Sequence, residues 1–278
     1  DSMLHESTKL ELETAKGRVI TLLNLSQIDI QEYEFILLNN DLTTGIPDKL
    51  KSIELPIFPS ICVGWHRRIK SGHFKHFSDV VTEYSTALNI DLWTLSAYFD
   101  VVNDMDINIE AHREKMAKKV DELLNKIQLK YTEYGIKQKP FVFVKSDFGT
   151  YGMGVQAFND PEQIIALNRK GRNKLYKGKQ SRIIHSFLLQ EGIPSITQVN
   201  NQMAESCIYQ ISNKYVGGFF RVHKDKSDRE SLNTKGMFFK PMCNDKLPKQ
   251  FAQYQLLGRL AGIAAGREMH ELKIGCLQ

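Results

Sequence analysis

The sequence predicts an α/β (α+β) chain in two parts: a mixed α/β part over residues 1–138 and a mostly antiparallel β part with flanking helices over residues 139–278. Three observations predict it. From about Asp106 to Tyr134, Met116, Val120, Leu123, Ile127, Tyr131 and Tyr134 recur at three- and four-residue steps, which is one face of a long amphipathic helix. Gly135 ends that helix, and Pro140 opens a different pattern. After Pro140 the segments FVFVK, SRIIHSFLLQEG, AESCIYQIS, KYVGGFFRVH and GMFFKP are rich in β-branched and aromatic residues and read as strands.

Along the chain, EFILLNND comes first. Phe35 to Leu38 form a short apolar run that ends in Asn39, Asn40 and Asp41, as a buried parallel strand with its polar end at a crevice would. TTGIPDKL follows as a turn and a short helix with Pro47 near its start. PIFPS reads as a second short strand and GWHRRIKSGHF as a basic loop. Asn213-Lys214 marks a hairpin tip, and Phe251 to about Met269 a closing helix.

Composition narrows the function classes. A 42% hydrophobic and 25% charged chain supplies a core and excludes disorder as the default. No apolar run approaches the roughly 18 residues of a membrane helix, and no signal peptide is expected. The formal charge of +5 suits an anionic small molecule such as a nucleotide and does not demand nucleic acid. Cys62, Cys207, Cys243 and Cys276 show no CxxC spacing. The expectation is therefore reduced thiols in a cytoplasmic protein, with neither a zinc site nor a disulfide framework. His185, His223 and His270 show no ligand spacing and are expected to be structural.

Three constellations carry chemistry. In FVFVKSDFGTYGMGV a strand delivers Lys145 and breaks into a loop holding Gly149, Gly152 and Gly154. Glycines let backbone N–H groups approach an anion, and the lysine adds a point charge. The loop fits neither GK[ST] nor GxGxxG, and the following GVQAF suggests a phosphate-covering hairpin. A glycine-rich hairpin with a surface lysine would show the same pattern. In FLLQEGIP an apolar strand ends in Gln190, Glu191 and Gly192, which offers an adenine an apolar slot and backbone hydrogen bonds; a strand running into a turn reads equally. In GGFFRVH and RESLNTKG, Arg221 can neutralise a transferring phosphoryl group, while Glu230 and Asn233 offer hard oxygens to Mg²⁺. A solvated loop beside a surface arginine is the plainer alternative.

The order of these pieces is that of an ATP-grasp fold, in which two β-rich lobes clasp the nucleotide. VKSDFGTYGMGV, LNRKGRNK, LLQEGIPS, AESCIYQI, VGGFFRVH and ESLNTKGM resemble consecutive motifs of the proteobacterial glutamate–cysteine ligases of ATP-grasp type, and LLNNDLTTGIP and GWHRRIKSGHF resemble motifs of that family's preceding domain. The resemblance spans about residues 30–265. It implies that ATP phosphorylates the glutamate side-chain carboxylate and that the cysteine amine then attacks the acyl phosphate, giving γ-glutamylcysteine, ADP and phosphate. The partners are those small molecules, with no nucleic acid and no membrane. The family's long N-terminal region is expected to be missing from a chain that begins at Asp1.

Residue by residue, the resemblance implies catalytic roles for Arg221 and Lys145. Contacts to ATP fall to Lys145, Gly149, Tyr151, Gly152, Met153, Gly154, Gln190, Glu191 and Gly192, with Arg169 and Lys174 of the basic run 167–179. That run reads otherwise as a solvated helix face. Mg²⁺ is expected on Glu230 and Asn233, with Glu205 the next candidate. Amino-acid substrate contacts fall to Asn39, Asn40 and Asp41 at a strand end and to His66, Arg67 and Arg68, where an arginine fork can grip a carboxylate. A capping turn and a basic surface turn are the alternatives there.

Overall fold

The computed structural model describes residues 10–23, 27–29, 32–149, 154–176, 183–242 and 248–274. It divides into two compact units, Asp1–Arg67 and Arg68–Gln278. The residue 138/139 division expected from sequence falls inside the second unit.

In the first unit, β1 (Leu10–Glu13) and β2 (Val19–Leu22) form an antiparallel hairpin. β3 (Ile36–Leu37) lies parallel to β4 (Ile57–Phe58), with the one-turn helix α1 (Asp48–Lys51) between them in sequence. The parallel pairing agrees with the reading of EFILLNND, but burial does not: β3 has two residues, and Leu37 is 77% exposed. A buried parallel strand needs both faces covered, and this short ladder lacks that cover among the described residues. Cys62 is disulfide-bonded, which corrects the expectation of reduced thiols; its partner lies outside the described residues.

The second unit opens with α2 (Lys70–Leu88), followed by β5 (Phe99–Val102) and the long helix α3 (Glu110–Glu133). α2 corrects the reading of GWHRRIKSGHF as a loop, since the helix starts inside it. α3 matches its periodicity. Met116, Val120, Leu123, Ile127 and Tyr131 are buried, and Gly135 closes the helix at φ +66°. Next come β6 (Val142–Ser146), β7 (Val155–Phe158), the short helices α4 (Glu162–Ile165) and α5 (Arg169–Tyr176), and β8 (Phe187–Glu191). These strands form one antiparallel sheet in the order β5-β8-β6-β7. α3 covers one face of it, and Val142, Val144, Phe187 and Leu189 share a single apolar cluster with the helix.

A second antiparallel sheet has the order β12-β11-β10-β9, from β9 (Gln198–Val199), β10 (Gln202–Ile211), β11 (Lys214–His223) and β12 (Phe238–Pro241). Its central hairpin turns at Ser212 (φ +48°) and Asn213 (φ +63°), one residue earlier than the sequence reading placed it. Two successive left-handed residues are what a twist-matched two-residue hairpin requires. α6 (Phe251–Ile274) contacts β10 and packs on α2 through Val80, Val81, Leu260 and Ala264. No helix among the described residues is long and apolar enough to cross a membrane.

Candidate functional site

The two sheets of the second unit face one cavity of about 660 Å³. Phe143, Lys145 and Val155 line it from the first sheet, and Glu205, Ser206 and Arg221 from the second. The alternation of β6 places these groups. Val142 and Val144 turn into the core, so Phe143 and Lys145 must face the other way. The connection from Ile193 to Thr197 crosses one end of the cavity, and Glu230, Asn233 and the α6 residues Tyr254 and Leu257 complete it.

Lys145 donates from Nζ to Gln190 Oε1 at 2.6 Å and lies 5.2 Å from the Phe143 ring centroid. Desolvation in this narrow cleft pulls its ammonium down to about 8, with Glu205 acting in the opposite direction. It therefore stays mostly charged at neutral pH. Arg221 and Glu205 are cross-strand partners, with Nη1 donating to Oε2 at 3.0 Å. Arg221 Nε and Ser206 Oγ are buried without a hydrogen-bond partner. A buried donor left unpaired is unfavourable. Lys145 and Arg221 give the cavity two cationic groups, which suit an anionic ligand.

Glu230 is held in its own turn, where Oε1 accepts from Lys226 Nζ at 2.7 Å and Oε2 from Ser227 N at 3.0 Å and Oγ at 3.1 Å. The lysine bond and then the Ser227 amide hold its carboxyl at about 2. Among the described residues, no three His, Cys, Asp or Glu side chains gather as a metal cage. Mg²⁺ keeps several waters and needs only one or two carboxylates beside phosphates, so Glu205, Glu230 and the amide of Asn233 fit a substrate-dependent ion and not a protein-only site.

The Gly-rich loop enters and leaves with left-handed glycines, Gly149 at φ +78° and Gly154 at φ +66°. Tyr151, Gly152 and Met153 lie outside the described residues. Of the strand-end triplet, Gln190 faces Lys145, but Glu191 turns away. Its buried carboxylate accepts from Trp93 Nε1 at 3.0 Å and from Tyr98 N at 2.9 Å, and desolvation raises its pKa. Gly192 is there because any Cβ would run into the Phe141 ring. Arg169 and Lys174 are exposed on α5 and do not line the cavity.

In the first unit, Asn40 Oδ1 accepts from Leu42 N at 2.8 Å, Asp41 Oδ1 from Thr43 N at 3.0 Å, and Asp41 O from Trp65 N at 2.9 Å. This turn therefore holds Asp41 against Trp65, while Asn39 and Asn40 are both exposed. Burial, and then the neighbouring Arg67, holds the His66 imidazole below its usual range. Arg68 belongs to the second unit, where its fork is committed to Glu268 through two 2.7 Å bonds. His223 is structural: Nδ1 accepts from Asp225 N, so Nε2 carries the proton and donates to Lys235 O at 3.1 Å. His185 Nδ1 likewise bonds to Met105 O at 3.0 Å. Sequence reasoning missed Ser206, Tyr254 and Leu257 as lining residues. Only the fold brings α6 to this cavity.

A sequence model of the family described as glutamate-cysteine ligase matches residues 2–269. The 1.90 Å crystal structure of a protein from Methylobacillus flagellatus KT, to which γ-glutamylcysteine synthetase activity has been ascribed, superimposes with a TM-score of 0.81 at 36% identity. The match covers 95% of this chain and 67% of that one. A comparison with curated proteins found no match. The reaction of the matching family is an ATP-dependent ligation that forms γ-glutamylcysteine, and with nearly its whole length matched the chain belongs to the glutamate–cysteine ligase family.

Proposed function

We propose that the second unit is an ATP-grasp clasp that activates glutamate as an acyl phosphate for attack by cysteine. One observation carries the reading: two four-stranded antiparallel sheets bring Lys145 and an incompletely bonded Arg221 to opposite walls of one cavity. In this reading residues 139–278 supply the ATP-binding groups and residues 1–138 the substrate side.

Phe143, Val155 and Ile193 form the apolar part of the cavity, suited to the adenine, with Gln190 at the hinge and Gly192 keeping the strand close to Phe141. Lys145 and the glycine loop bind the phosphates. Arg221 sits across from Lys145 and holds charge that grows as the γ-phosphoryl group moves. Glu205, Glu230 and Asn233 would hold Mg²⁺, which would supply charge neutralisation for the phosphates. A carboxylate oxygen of glutamate attacks the γ-phosphorus, and the bond to the ADP oxygen breaks. The cysteine amine then attacks the acyl carbon, phosphate leaves with the bonding pair, and the amine loses its proton. No protein nucleophile is needed, which accords with the lack of a Cys/His or Ser/His arrangement in the sequence. Asn39, Asn40, Asp41, His66 and Arg67 are the proposed amino-acid contacts. Arg68 is bonded to Glu268, and Arg169 and Lys174 lie outside the cavity lining, so these three are not among the contacts of this reading.

Incubation with ATP, Mg²⁺, glutamate and a panel of amines, followed by product analysis, tests the reading. γ-Glutamylcysteine and phosphate should appear only when glutamate and cysteine are both present. Lys145→Ala should weaken ATP binding by roughly tenfold or more, as loss of a charged hydrogen bond does. Nucleotide binding without any ligation would favour a non-catalytic nucleotide module.

A further inference from the structure

In sequence Lys70 follows closely on the basic cluster His66, Arg67 and Arg68. The structure puts its ammonium elsewhere. Lys70 Nζ lies 2.6 Å from Ser146 O, 3.0 Å from Phe148 O and 2.8 Å from Gly149 O. An ammonium has three N–H donors, and three carbonyls receive them, so the protonated form is matched and a neutral amine would leave one acceptor unserved. These carbonyls belong to the end of β6 and the first residues of the glycine loop, directly after Lys145.

A second clamp lies beside the first. Asp147 is 2% exposed. Its Oδ1 accepts from Ser71 N at 2.8 Å, its Oδ2 from Ser71 Oγ at 2.6 Å, and its carbonyl from Lys70 N at 2.9 Å. The first N–H groups of α2, which have no partner within a helix, are thus capped by the loop itself. Four consecutive residues, Ser146 to Gly149, are therefore held by two consecutive residues at the start of one helix. In a trans peptide the C=O and the next N–H point opposite ways. Turning Phe148 C=O onto Lys70 turns Gly149 N–H away from it.

We propose that Lys70 is a positioning residue for ATP: by caging the carbonyls of Ser146, Phe148 and Gly149, it fixes the entry of the glycine loop beside Lys145. It touches no substrate in this scheme. Its effect reaches the phosphates through the loop backbone and through a positive charge fixed behind it. The inference rests on the reading of the cavity as an ATP site.

Calorimetric titration of the full chain with ADP and Mg²⁺, with a melting curve and kinetics on the same preparation, tests it. Lys70→Met keeps the stem and removes the three donors. It should weaken ADP binding by on the order of tenfold and raise the KM for ATP by a similar factor, with a smaller change in kcat. Lys70→Gln, which retains two donors, should fall between Lys70→Met and wild type, and it replaces Lys70→Met if that variant does not fold. A lowered Tm with nucleotide affinity and KM unchanged would make Lys70 a fold residue only and overturn the proposal while leaving the ATP site intact. If the wild-type chain itself binds no nucleotide and Lys145→Ala changes nothing, the ATP reading fails, and the proposal with it.

Discussion

Two arginine–glutamate pairs in the second unit are built in opposite ways. Arg68, two residues before α2, and Glu268 of α6 meet through two parallel 2.7 Å bonds, and His73 Nδ1 of α2 adds a third at 3.1 Å to a carboxylate only 5% exposed. Across β10 and β11, Arg221 and Glu205 share a single 3.0 Å contact, with side chains 23% and 37% exposed. The Arg221 Nε stays buried without a partner. The first pair is saturated, and its bonding capacity is spent on the fold. The second keeps bonding capacity in reserve beside a cavity, which is what the proposed role of Arg221 in binding transferring charge needs.

Breaking the saturated pair gives the largest expected effect. Arg68→Ala leaves a buried carboxylate uncompensated and should lower stability by about 3–5 kcal/mol, or on the order of 10 °C in Tm. The KM for ATP of the folded fraction should not move. Burial alone would raise the Glu268 carboxyl, but the bonds from His73 and Arg68 outweigh it and hold it at about 2. A depressed carboxyl contributes its stability above the unfolded value of about 4.3 and loses it as pH falls toward the folded value. Urea midpoints followed from pH 6 down to 2.5 should therefore fall more steeply in wild type than in Glu268→Gln. Parallel curves would show that the pair carries no such linkage.

The open pair answers to a different measurement. Arg221→Ala should lower kcat on the order of a hundredfold, by analogy with removal of one oxyanion donor, and raise the KM for ATP less. Arg221→Lys should recover little, because a point charge cannot span two oxygens as a planar fork does. Stability should change by less than about 1 kcal/mol, as for other partly exposed pairs. The opposite result, a lower Tm with normal kcat, would make this pair a weaker copy of the first and remove Arg221 from the chemistry.

The sequence made the strands legible where local pattern decides them. FVFVK, AESCIYQIS, KYVGGFFRVH and the helix ended by Gly135 all fall where propensity and period place them. α2 was overlooked because Gly72 and four basic or imidazole side chains in KSGHFKH obscure a real period in Phe74, Phe77, Val81 and Tyr84. That Lys145 and Arg221 line one cavity was readable because each stands on a strand beside aromatic residues. Glu191 was not, because its burial against Trp93 depends on a partner 98 positions away. The same holds for Lys70, whose three acceptors lie 76 to 79 positions along the chain. Side-chain direction across such separations belongs to the tertiary fold, and no local spacing encodes it.

The smallest effects concern the Mg²⁺ proposed to bind beside the open pair, where two proposed oxygen donors differ in how they are already engaged. Glu230 keeps a negative charge but shares its oxygens with Lys226 and Ser227. Asn233 brings a neutral amide oxygen to the same cavity. A carboxylate has about four lone-pair directions, so Glu230 can hold its turn and still present one to a cation. Glu230→Gln removes the charge and should raise the Mg²⁺ concentration for half-maximal turnover by several-fold, on the order of a lost hard ligand that water partly replaces. Asn233→Ala should raise it by about two- to threefold, since a water substitutes for a neutral ligand with less loss. The rival view makes Glu230 only the cap of the 227–230 turn. In that case Glu230→Gln lowers Tm, leaves the Mg²⁺ titration where it was, and shifts the metal assignment to Glu205. Then Glu205 alone of the open pair would be the ligand, and Glu205→Gln would move both the Mg²⁺ requirement and the kcat, an outcome that a purely electrostatic partner of Arg221 would not produce.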